Sequence, residues 1–195
     1  MFDAAAEMLS SLLIQKGIVP EDDREIYEFG FACKLADAAQ LVLLALFALL
    51  SGLVMETACF AACFTTVKRH IGGWHAESHA ACLCSTTAMT AASELVCVRI
   101  GENLQIPVTI AFLAVAATLV IRFAPVIHRN NPKTAEETRK HRKYGLLVLN
   151  LQAALILTAA ATFPYWRVLP LCGSCGLFTA AFTLIIPNRK GGNDE

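Results

Sequence analysis

Charge is what this chain has least of. Only 16% of its 195 residues are Asp, Glu, Lys or Arg, against roughly 25% in soluble domains, and its 16 basic and 16 acidic residues cancel. A chain with no overall positive field offers no general electrostatic case for binding nucleic acid. Its start also lacks the basic stretch of a secretory signal. Phe2, Ala5, Ala6, Leu9, Leu12 and Leu13 instead recur at helical spacing. Met1 to Pro20 therefore reads as an amphipathic helix, either lying in a membrane interface with Asp3 and Glu7 toward water or packed on a bundle. Internal repeats and low-complexity tracts are missing too.

Apolar sequence is abundant: 56% of residues are hydrophobic and the mean hydropathy is +0.54. A spanning helix needs about 20 mostly apolar residues. Ser78 to Val98, Leu104 to Ile121, Gly145 to Phe163 and Val168 to Pro187 each qualify, with Glu94 as their one acidic or basic residue. Leu35 to Val67 is too long for one ordinary span and reads as a hairpin of two short arms turning near Ser51-Gly52. The expected fold is thus all-α, a polytopic membrane protein of six transmembrane helices with an N-terminal amphipathic helix.

Basic residues orient this layout, because short cytoplasmic loops carry the excess of Lys and Arg. With both termini inside, only Arg99 and Arg167 of the 16 basic residues lie outside. Reading Leu35 to Val67 as one tilted helix gives five spans and misplaces the basic residues of the amino terminus. The chain is expected to form one membrane domain, 1–195. Within it lie an amphipathic region (1–30), a cytoplasmic loop and helix start (68–82) and a basic loop (122–144). In the last, Asn131-Pro132 ends what precedes it, and Thr134 with Glu137 three residues on reads as a capping box.

Eight cysteines do not make a disulfide framework here. Seven sit in apolar stretches and Cys33 lies just before the first, where small, soft side chains serve packing. Cys172-x-x-Cys175 is read in the same way.

Chemistry concentrates in Lys68 to Cys82, which holds three of the five histidines. Gly72-Gly73 suits a tight turn or close approach, Trp74 suits the headgroup interface, and Ser78 can cap the following helix. Cys82 then falls in the first turns of that helix, where the helix dipole and neighbouring cations favour thiolate. His75, seven residues earlier, can serve as base or ion-pair partner. Spacing alone does not separate this pair from unrelated packing residues. Zinc held by His75, His79, Cys82 and Cys84 is a rival reading, although the acid of His-Ala-Glu-Ser-His stands one place away from the zincin pattern. Cys84 is a rival nucleophile, about 200° round the helix from Cys82.

The run Lys68-Arg69-His70-x-Gly72-Gly73-Trp74-His75-Ala76-x-Ser78, with Cys82 following, resembles the signature of the AgrB (accessory gene regulator B) family. The later Ala124-Pro125-Val126-x(4)-Asn130-Asn131-Pro132-x(3)-Glu136-Glu137-x-Arg139-Lys140 is similar to that family's second cytoplasmic loop. The resemblance implies a cysteine endopeptidase of the bacterial cell membrane. Such an enzyme cleaves the C-terminal part of an AgrD-like quorum-sensing propeptide and promotes cyclisation to a thiolactone or lactone autoinducing peptide. It also implies that His75 and Cys82 are catalytic, that Gly73 is functional and that Lys68 and Arg69 form a basic pair beside it. A homodimer is expected on the same ground. His79 departs from the family pattern, leaving two candidate bases.

Gly72, Arg139 and Lys140 complete the candidate supporting or substrate-binding set. For Arg139, Lys140, Arg142 and Lys143 the alternatives are topology with contact to anionic membrane lipids or capture of an acidic propeptide tail. No metal and no cofactor is called for. The alternative function is a non-enzymatic small membrane transporter or exporter, against which Asp37, Glu56 and Glu94 lie near span ends or off-centre.

Overall fold

The computed structural model describes residues 2–74, 76, 78–126 and 134–186, and every regular element among them is helical. Helix α1 (Phe2–Gln15) ends where Gly17 takes a φ of 66°, which lets the Ile18 N–H donate to the Leu13 carbonyl at 3.0 Å. Its buried residues are Ala6 and Ser10, and it packs against α2 (Arg24–Ser51). Arg24 fixes that junction by donating to Ser11 Oγ at 3.1 Å.

The hairpin turn falls where the sequence places it. Helix α2 stops at Ser51, Gly52 adopts a φ of 74°, and α3 (Val54–Ile71) begins. The first arm is not short, however. No breaker separates the apolar run from Arg24, so α2 extends back through 28 residues, about 42 Å at 1.5 Å per residue.

Beyond α3 come α4 (His79–Cys97), α5 (Glu102–Phe123), α6 (Ala135–Thr162) and α7 (Val168–Phe182). Thr134 and Glu137 form the capping box of α6: the Thr134 side chain accepts from the Glu137 N–H at 3.2 Å while the Glu137 carboxylate accepts from the Thr134 N–H at 2.8 Å.

Among the described residues, four helical stretches are long and apolar enough to cross a membrane: Glu21–Ser51, Ala80–Cys97, Glu102–Phe123 and Ala135–Thr162. This is a membrane protein, with four such helices where six were expected. Helix α3 spans 18 residues but includes Glu56, Lys68 and Arg69. Helix α7 has 15 residues, about 22 Å, because it ends at Phe182; Pro187, the expected limit, lies outside the described residues.

Helix α7 is nevertheless the centre of the bundle. Its residues Pro170 to Leu177, Ala180 and Ala181 are all buried, and α3, α4, α5 and α6 all pack on it. A helix apolar on every face suits that position, and its small residues let neighbouring backbones approach closely. From α3, Phe60, Phe64, Val67 and Ile71 face inward at helical spacing; Leu113, Ala116 and Val120 of α5 and Leu149 and Ile156 of α6 close the core. Phe112 and Phe178 stack at 4.9 Å between ring centres.

The tightest approach within this packing is at Gly176, where an added Cβ would lie 2.5 Å from the Phe60 carbonyl oxygen. Gly176→Ala is therefore expected to cost about 1–3 kcal/mol by overpacking. The matching control is Gly30→Ala, which has open space around it; its thermal midpoint should stay level or rise, both midpoints being read by fluorescence-detected size exclusion.

Candidate active site

The last turn of α3 carries Lys68, Arg69 and His70, and the chain then turns sharply. Gly72 has a φ of 72° and Gly73 a φ of 118°, values that L side chains rarely adopt. Close approach is the second reason for two glycines. Val126, just past α5, donates its N–H to the Ile71 carbonyl at 2.9 Å, and a Cβ on Gly72 would stand 2.1 Å from the Val126 carbonyl oxygen. On the other side, the Trp74 N–H donates to the Thr183 carbonyl at 2.9 Å, and a Cβ on Gly73 would stand 2.3 Å from Thr183 Oγ1. The turn is clamped between the segment after α5 and the end of α7.

Ser78 then starts α4. Its extended backbone and side-chain oxygen, which accepts from the Ala81 N–H at 3.2 Å, make it the N-cap. Cys82 follows in the first turn, with its N–H donating to the Ser78 carbonyl at 2.9 Å. Its side chain leans toward the start of the helix, as helical side chains do. Cys82 is partly buried, whereas Cys84 is exposed.

Lys68 reaches across from α3. Its Nζ donates to the Trp74 carbonyl at 3.2 Å and sits 5.1 Å from the centre of the Phe64 ring. Burial pushes the ammonium below the ordinary lysine range, and the negative charge of a Cys82 thiolate acts in the opposite sense. Lys68 and Cys82 thus interact electrostatically across the α3–α4 junction.

The other candidates divide. Gly72 and Gly73 form the backbone of the turn, while Arg69 is exposed beside it. Arg139 and Lys140 are exposed on the first turns of α6, where Lys140 pairs with Glu136 at 2.7 Å. Helix α6 packs on α3, α5 and α7, whereas α4 packs on α2, α3 and α7, and no hydrogen bond or ion pair among the described residues joins these two basic residues to Cys82. Arg142 donates to the Ile121 carbonyl at 3.2 Å. His75 and Glu77 lie outside the described residues. His79 opens α4, and its side chain is not among the described groups.

His70 leans instead toward α6, with its ring 6.1 Å from His141 and 6.0 Å from Tyr144. Partial burial, then His141 and Arg69, hold it below the usual imidazole range.

Sequence reasoning quoted Val126 within the second-loop resemblance without naming it as a partner of the turn, and missed Thr183. The Gly-Gly pair signals that something approaches closely, but no local pattern tells which distant residue does so.

A family model described as AgrB, accessory gene regulator B, matches residues 6–185. The chain belongs to the AgrB family. The match covers the Gly72-Gly73 turn, Cys82 and the basic part of α6 together, so the site and the helices that frame it fall within one AgrB unit. No match was found among curated proteins or among solved structures. AgrB membership is consistent with a role in processing an AgrD-like peptide.

Proposed function

We propose that this AgrB protein is a cysteine endopeptidase that cleaves an AgrD-like propeptide and passes the acyl group to a nucleophile within the same peptide. The observation that carries this reading is the placement of Cys82, a partly buried thiol in the first turn of α4 that interacts electrostatically with the Lys68 ammonium.

In this reading the Cys82 sulfur attacks the scissile carbonyl, and His75 gives a proton to the departing amine. The C–N bond breaks and a thioester forms on Cys82. A cysteine or serine inside the propeptide then attacks the thioester, its proton passing to the imidazole. A thiolactone or lactone leaves, and the Cys82 thiolate is regenerated. Thioester exchange is close to energy-neutral, so retaining the acyl group on sulfur makes ring closure accessible. His79 is the alternative base.

The topology that accompanies this function has six spans in the bacterial cell membrane, both termini cytoplasmic, and a homodimeric assembly. The distribution of basic residues supports the orientation, and α3 and α7 supply the two further spans. A 15-residue α7 reaches across by local bilayer thinning.

Lys68→Gln is expected to slow single-turnover cleavage roughly tenfold, the effect of about 1.4 kcal/mol at the transition state. Lys68→Arg should keep most of the rate. Equal rates for Lys68→Gln and wild type would remove the ammonium from the mechanism.

Arg139, Lys140, Arg142 and Lys143 are proposed to draw in the acidic tail of the propeptide. Neutralising all four should raise KM with kcat held, and added salt should erase the difference. The test is cleavage of purified propeptide in anionic and in neutral vesicles, with insertion verified. Unchanged KM in neutral vesicles would assign the cluster to membrane lipids.

A further inference from the structure

An acidic side chain is enclosed in the bundle at the end remote from Cys82. Glu94 stands twelve residues after Cys82 on α4, about 18 Å along the helix, and is 0% exposed. Its Oε2 lies 2.8 Å from Thr57 Oγ1 of α3, while its Oε1 is buried without a hydrogen-bond partner. No ion pair reaches it among the described residues.

Its ionisable neighbours are Glu56 on α3, Cys97 one turn further along α4, and from α7 Cys172 and Cys175, which contact Cys97. Helix α2, also packed on α4, has no titratable residue after Asp37. Nothing in this group supplies a positive charge.

The Thr57 hydroxyl stands between two acceptors. Thr57 Oγ1 is 2.7 Å from the Leu53 carbonyl oxygen and 2.8 Å from Glu94 Oε2. With Thr57 as donor, its one hydroxyl hydrogen is shared between two acceptors; a hydrogen on the Glu94 carboxyl would let both contacts be full hydrogen bonds. An ionised carboxylate would also leave Oε1 charged and without a donor in a low-dielectric interior, the costliest arrangement for such a group.

We propose that Glu94 is a proton-binding site that fastens α4 to α3, its acid O–H donating to Thr57 Oγ1 while Thr57 donates to the Leu53 carbonyl. When an aqueous base takes this proton, the bridge becomes an uncompensated charge beside Glu56, and the Gly52 end of α3 parts from α4. The fastened form belongs to lower pH, and the parted form appears as pH rises through the titration of Glu94. Cys82 and Glu94 belong to the same unbroken helix α4, so a displacement at Glu94 is carried along a stiff helix to the thiol's turn.

Infrared spectroscopy of the full-length protein in lipid nanodiscs tests this without any propeptide. At neutral pH the wild type should show the carbonyl stretch of a protonated carboxylic acid above the amide band. That band should be lost in Glu94→Gln, kept in Glu56→Gln and lost from the wild type on raising the pH. In Thr57→Val it should persist but move to higher frequency, which secures the assignment even if Glu94→Gln inserts poorly. Backbone hydrogen exchange over residues 53–58 should quicken with pH in the wild type and stay flat in Glu94→Gln. A wild type with no acid band at neutral pH overturns the proposal, as does exchange over 53–58 that sodium slows and pH leaves unchanged, which would make this a cation site.

Discussion

Cys82→Ala, inserted to the wild-type level, is expected to leave the propeptide uncut. Removing the attacking atom of a covalent mechanism lowers turnover on the order of a thousandfold or more. Cys84→Ala should stay within about twofold of wild type, because a helical step of two residues turns its thiol roughly 200° away onto an exposed face. The intermediate offers a second readout. A propeptide whose internal cysteine or serine is replaced by alanine cannot close its ring, so the acyl group should accumulate on Cys82 as a mass increase that hydroxylamine removes. Full processing by Cys82→Ala, or an adduct mapped to Cys84, would move the nucleophile. His75→Ala and His79→Ala in the same assay separate the two candidate bases: the variant that loses both adduct formation and cleavage identifies the working imidazole.

Gly72→Ala should be almost as damaging for a different reason. The added methyl would stand 2.1 Å from a main-chain oxygen, that of Val126, whose own N–H is bonded to Ile71. Neither partner is the free end of a side chain, so the turn itself must move. The backbone at Gly72, with φ 72° and ψ −141°, adds strain for any L residue. Processing is expected to fall at least about a hundredfold, the scale of loss when reacting groups are misplaced by an ångström. Gly52→Ala is the control, since it shares a positive φ but has open space around it; it should cost about 1 kcal/mol of stability and leave processing intact. At Gly73 the obstacle is the Thr183 side chain, held by its bond to the Ala180 carbonyl at 2.7 Å. Gly73→Ala should therefore regain part of its activity when combined with Thr183→Gly. Equal processing by Gly72→Ala and Gly52→Ala would show that the clamp does not position the thiol.

Local signals in the sequence translated well into structure. Ser51-Gly52 gave the hairpin, Thr134 with Glu137 gave a helix start, and Ser78 capped the helix that carries Cys82, because each is decided by a few adjacent residues. Hydropathy located the apolar helices but not their ends. Helix α2 begins at Arg24, well before the apolar run, because polar residues continue a helix when nothing breaks it. The partners of Gly72 and Gly73 were hidden because Val126 and Thr183 are distant in the chain and act largely through backbone groups. Lys68 was legible as part of a basic pair, but which of the two faces Cys82 depends on how the turn folds back. Glu94 read as off-centre in its span; that it is enclosed by protein follows from which stripe of α4 meets α3.

In the proposed mechanism the clamp ties the chemistry at Cys82 to the bundle's interior. Trp74 hangs from the last turn of α7, the helix on which α3, α4, α5 and α6 all rest, so α7 cannot shift without dragging the reacting loop. Core substitutions on α7 should then act on activity as well as on stability, those near Thr183 most of all. A chain that still inserts and still resists heat would already have lost the register between its thiol and its substrate.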